Sequence, residues 1–159
     1  MLETFEYEVS YSQIAVFDGR LDLPFNDWTP RHYEQGFSWR PGSVSFRTLI
    51  ESGSLQVTVR VTERHEPIEK AAMAISVPFH CSREAQLEVA SPAGASRRIA
   101  LPAGDHQLVY EAIPSPDEGG IDQVVLSFVE GGDLTPQVLT PAPGSRPEYP
   151  LLMEAEPAR

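Results

Sequence analysis

Apolar residues in this chain recur at every second position, and that spacing restricts the backbone more than any other feature. Leu55, Val57, Val59 and Val61 fall on one side of an extended segment, with Gln56, Thr58, Arg60 and Thr62 on the other. Met73, Ile75, Val77 and Phe79 repeat the arrangement, as do Phe5, Tyr7, Val9 and Tyr11. Successive side chains of a strand point to opposite faces, so this alternation predicts strands with one face in a core and one toward water. In the first segment the phase slips, because Ile14 and Val16 carry the apolar set onward; a bulge or bend near Ser12-Gln13 accounts for the slip.

Further strands are predicted over residues 44–50, 86–90, 97–101, 107–113 and 123–129. Turn-forming residues separate them: Ser52-Gly53, Ser91-Pro92-Ala93-Gly94, Ala103-Gly104-Asp105 and Asp117-Glu118-Gly119-Gly120. About eight short strands with no amphipathic helix predict an all-β, antiparallel sandwich. Residues 30–35 read as a short helical turn, with Thr29 as N-cap and Pro30 in the first position. Residues 1–130 are expected to form the sandwich domain. Residues 131–159 hold six prolines and little periodicity. Proline cannot donate to a sheet ladder, so this acidic stretch reads as an extended C-terminal appendage, with Leu151-Leu152-Met153 as a possible docking point.

The 23 acidic and 12 basic side chains give a formal charge of −11. A field of that sign repels nucleic acid and anionic membranes and attracts basic proteins. No segment has the apolar length of a membrane span. A single cysteine, Cys81, permits no internal disulfide, and the opening residues lack a secretory pattern, so the cytoplasm is the expected compartment.

A search for catalytic chemistry finds nothing to build on. His80 adjoins Cys81, but neighbours on a strand face opposite ways and cannot form a nucleophile–base pair. The histidines at 32, 65, 80 and 106 lack the spacing of paired metal ligands, and no calcium or phosphate loop is present. No cofactor is therefore expected. The loop over residues 17–40 is longer than a β connection needs, and it concentrates Phe25, Trp28, Tyr33, Phe37 and Trp39 with several carboxylates. Trp and Tyr dominate interface hot spots, which makes Asp18, Asp22, Asp27, Trp28, Glu34 and Trp39 the expected partner-binding residues. A sandwich module that binds carbohydrate or another small ligand through these rings is the alternative.

The segment Ser10-Tyr11-Ser12-Gln13-Ile14-Ala15-Val16-Phe17, followed by Asp27-Trp28-Thr29 and Gln35-Gly36-Phe37, resembles the start of the competence protein J family. Gly42-Ser43-Val44-Ser45-Phe46 and Ser76-Val77-Pro78-Phe79-His80 continue the likeness, and Leu101-Pro102-Ala103-Gly104-Asp105-His106-Gln107-Leu108 with Ala112-Ile113-Pro114 closes it. The resemblance implies an inhibitor that complexes a DNA-entry nuclease, or an immunity protein against a nuclease-like toxin. It carries no catalytic motif, and the proline-rich end lies outside it.

Overall fold

The alternation is resolved into two packed sheets in the computed structural model, which describes residues 2–94 and 96–159. The chain runs β1 (Leu2–Val9), β2 (Gln13–Asp18), α1 (Pro30–Gln35), β3 (Phe37–Arg40), β4 (Ser43–Arg47), β5 (Gly53–Thr62) and β6 (Met73–Cys81). It continues through β7 (Leu87–Ala90), β8 (Ser96–Arg98), β9 (Gly104–Ile113), β10 (Asp122–Glu130) and β11 (Gln137–Thr140). One sheet has the order β1-β5-β10-β9-β6-β11, and the other β3-β4-β2-β7-β8. All pairings are antiparallel except β5 with β10, which run parallel with Val57 opposite Val124.

The all-β sandwich is as expected, but the described residues hold eleven strands rather than about eight. The slip near Ser12 is a change of sheet rather than a bulge. β1 and β2 belong to different sheets, and a tight turn at Tyr11-Ser12 joins them. Tyr11 therefore leaves the periodic set of Phe5, Tyr7 and Val9 and stands out from the turn. The other additions are β3, inside the long aromatic loop, and β11, inside the proline-rich end.

The core lies between the sheets. Leu55, Val57, Val59, Met73, Ile75, Val77 and Phe79 meet Ile14, Val16, Val44, Phe46 and Val89, all buried. Each fully buried side chain of this kind contributes about 1.5–3 kcal/mol relative to exposure. Phe46 of β4 and Tyr110 of β9 stack across the sheets with centroids 4.6 Å apart and planes 2° from parallel. The second sheet also has a covered outer face: Phe25 of the long loop meets Phe17 edge-on at 5.2 Å, closing over Ala15 and Ala90.

The helical turn forms as its capping residues dictate. Thr29 Oγ1 accepts from the His32 amide, His32 Nδ1 takes the Thr29 amide at 3.0 Å, and Pro30 opens the helix. Gly36 ends it with φ +88°, in the left-handed region, and a Cβ there would lie 2.9 Å from Ile75 Cδ1.

Residues 131–159 are extended, as their prolines require, and they are also attached. Val138 of β11 pairs with Ile75 at the edge of the larger sheet. Farther along, Gln35 holds Leu152 by two reciprocal bonds of 2.9 Å, and the His32 Nε2 donates to the Glu154 carbonyl at 2.7 Å. The Asp27 amide donates to the Glu156 carbonyl, and the Ala158 amide to the Phe25 carbonyl. Proline lacks an N–H, but the residues between prolines keep theirs, and the Leu152 and Ala158 amides together with the carbonyls of Leu152, Glu154 and Glu156 make the attachment.

Candidate partner-binding surface

The six residues singled out in the long loop do not form one patch. Asp18 closes β2 and is tied up internally. It takes Arg20 Nη2 at 2.6 Å, the Arg20 amide at 3.0 Å and the Gln86 amide at 3.2 Å. The Arg20 side chain, helped by these two amides, holds the carboxyl at a pKa of about 2. Arg20 also reaches Ser82 Oγ, so the cluster ties the start of the loop to the segment after β6. Asp18 therefore acts as a loop staple whose carboxylate is already paired with Arg20.

Asp22, Asp27 and Glu34 are exposed, and Glu34 Oε2 also accepts the Arg146 amide of the C-terminal segment at 3.1 Å. The two indoles are half-buried and apart. Trp39, on β3, donates its Nε1–H to the Pro78 carbonyl at 2.8 Å and packs against the core. It lines a shallow hollow of about 260 Å³ with Asp18, Pro41, Gly42, Phe79, His80 and Ser82. Trp28 instead lies edge-on to His32 of α1, 6.5 Å between centroids. The two rings thus make no shared stacking platform of the sort a sugar-binding module uses.

The attached C-terminal segment brings in groups the sequence reading left out. Asp27, Glu154 and Glu156 surround a second hollow of about 260 Å³, beside His32 and Leu152. Period-2 reasoning had nothing to work with in this segment, and its only signal was the apolar Leu151-Leu152-Met153. Another groove, of about 620 Å³, has a different character: Arg83 and Arg98 line it together with Cys81. Burial and the Asp18 charge push the Cys81 thiol pKa up, away from the thiolate a nucleophile requires. His80, the neighbour of Cys81, is exposed and pairs with Asp105 at 2.7 Å. Among the described residues no three His, Cys, Asp or Glu side chains converge as metal ligands, and no helix is long and apolar enough to cross a membrane.

Comparison with known proteins places this arrangement. The chain is 27% identical over 110 residues to the DNA-entry nuclease inhibitor of Bacillus subtilis, covering 69% of this chain and 81% of that protein. The crystal structure of ComJ from Bacillus subtilis, described as an inhibitor of the DNA-degrading activity of NucA, superposes with a TM-score of 0.70. That likeness, at 24% identity, spans 81% of this chain and 98% of that one and establishes the fold. A protein described as crocagin biosynthetic gene J shares the fold more distantly, with a TM-score of 0.53, 14% identity and coverage of 80% and 96%. The family model for competence protein J matches residues 6–129, from β1 to the end of β10, and the chain belongs to that family.

Proposed function

We propose that this protein inhibits a DNA-degrading nuclease by forming a complex with it, and that it performs no catalysis of its own. The observation that carries the reading is the family match over residues 6–129. The likeness to a DNA-entry nuclease inhibitor, over most of both chains, supports it. Charge supports it as well: a nuclease cleft that holds phosphates is basic, and a partner of charge −11 approaches it down a favourable potential. The exposed carboxylates of Asp22 and Asp27 are the members of the expected set free to take part, while Glu34 also holds the Arg146 amide. Asp18 holds the loop in place.

On this reading residues 1–130 are the inhibitor fold and residues 131–159 an appended segment, since the family match ends at Val129. The site of action is the cytoplasm, where a nuclease would endanger the cell's own DNA. The test is a DNA-degradation assay on extracts of the source cells. Adding purified protein should stop degradation, and adding nuclease back should restore it. Unaltered degradation, together with a rise in melting temperature on adding an oligosaccharide, would overturn the reading in favour of a small-ligand module.

A further inference from the structure

The turn between β1 and β2 is built in an unfavourable conformation, and it displays an aromatic ring. Tyr11 and Ser12 both have positive φ, 55° and 57°. A two-residue hairpin connection demands this, but Asn and Gly are the residues that meet the demand without steric conflict. The turn is held there by its surroundings. The Ser12 amide donates to the Glu51 carbonyl, and the Thr48 amide to the Ser12 carbonyl, each at 2.9 Å. Ser10 Oγ bonds Ser91 Oγ at 2.5 Å and takes the Ala93 amide at 3.1 Å. Tyr11 itself contributes nothing to the core, being 77% exposed. A strained turn pinned by two other connections, with its one large side chain left exposed, is a feature that folding alone does not require.

The setting of that ring has a definite charge. Four connections meet at this end of the sandwich, because Val9 pairs with Gly53, Asp122 with Leu55, and Ala15 with Ala90. They comprise residues 10–13, 48–53, 91–94 and 114–121, which hold Glu51, Asp117 and Glu118 and no Lys, Arg or His. All three carboxylates are exposed, and so is Ile121. The adjoining cation, Arg47, turns away to lie 3.7 Å over the Tyr33 ring.

We infer that this end is the docking face for the nuclease, with Tyr11 as the anchor that enters a pocket beside its basic cleft and the surrounding carboxylates meeting its cations. The inference rests on the nuclease-inhibitor reading and adds the surface to it. A rigid, pre-placed aromatic loses little freedom on binding, so its burial goes into affinity, while the carboxylates steer association.

The probe is the DNA-degrading nuclease captured from source cells on the immobilised wild-type protein. Tyr11→Ala should weaken its binding roughly 30-fold or more, chiefly through faster dissociation. Tyr11→Gly removes ring and strain together, and should raise the melting temperature while losing binding to the same extent. Ser12→Gly relieves strain but keeps the ring, and should raise the melting temperature with binding unchanged. Tyr11→Gly binding as tightly as wild type would overturn the assignment of Tyr11 while leaving the inhibitor reading intact. Failure of the wild-type protein to capture or inhibit any nuclease would overturn both.

Discussion

Phe46 and Tyr110 offer the sharpest test of how the two sheets are held together. They come from β4 and β9, on opposite sheets, and neither has any exposed surface. Phe46→Ala removes one of two stacked rings and leaves a hole that close-packed β-branched neighbours, Val16 and Val44 among them, cannot fill. Such truncations cost about 3–5 kcal/mol. A domain stable by about 5–15 kcal/mol loses much of its margin that way. At about 2–4 °C per kcal/mol, the melting temperature should fall by roughly 6–20 °C. Tyr110→Phe keeps the ring and deletes the hydroxyl that donates to the Arg47 carbonyl at 3.0 Å, and should cost about 1 kcal/mol. Combining the two should be close to additive, because Tyr110→Phe leaves its ring in place and the deleted hydroxyl bonds Arg47 rather than Phe46. Scanning calorimetry on the four proteins reads all of these values. Phe46→Ala melting within about 2 °C of the parent would refute the packing described for this inter-sheet contact.

Three further outcomes follow from individual contacts. Acid should destabilise the fold in two steps. Burial holds the His106 pKa below 6.5, so its neutral form is favoured in the fold, and stability falls as pH drops below that value. Asp18, lowered to about 2 from 3.8, adds stability above pH 3.8 that is lost as pH falls toward 2. Denaturant titrations from pH 7 to pH 3 should show the first loss removed in His106→Leu, and a pH-independent His106→Leu difference would contradict it. Truncation after Glu130 should leave a cooperatively folding domain, as expected from the family match ending at Val129, but one less stable because β11 leaves the edge of β6 and Leu152 leaves Gln35. Non-cooperative melting of the truncated chain would make residues 131–159 integral to the fold. Replacing Asp22 and Asp27 together by lysine should slow association with the nuclease about tenfold at low salt and flatten its salt dependence, with melting unchanged. An unaltered association rate would confine the electrostatic contact to the Tyr11 end, with Glu51, Asp117 and Glu118.

Periodicity carried the long strands well, because Leu55–Val61 and Met73–Phe79 each place one face in the core and the other outward. It misread the first strand for a physical reason: Phe5 to Val16 keeps its apolar supply while the chain turns through Tyr11-Ser12 and changes sheets. Tyr11 is not a usual turn former, and Ser12 with the phase slip announced only a bulge or bend, so the change of sheet had no local signal. β3 and β11 are four residues each and lack sustained alternation, and their pairing is fixed by Val44 and Ile75 on other strands. The helix cap was legible from Thr29 and Pro30 because capping is a local interaction. The fate of the loop carboxylates was not. Asp18 and Asp22 look alike in sequence, and only the placement of Arg20 and Gln86 ties up one and leaves the other free. Glu156 joined Asp27 through a backbone bond, and Glu154 joined the same hollow through the His32 side chain, both across more than a hundred residues and beyond the reach of any local pattern.

The central claim is inhibition through complex formation, and titration of the nuclease with this protein tests it most directly. Initial rates of DNA cleavage are measured at a fixed nuclease concentration well above the dissociation constant, with increasing amounts of the purified protein. The account predicts a linear fall to near zero with a sharp end point at a fixed molar ratio, the same at every DNA concentration used. Cleavage that continues undiminished past a large molar excess of the protein would contradict it.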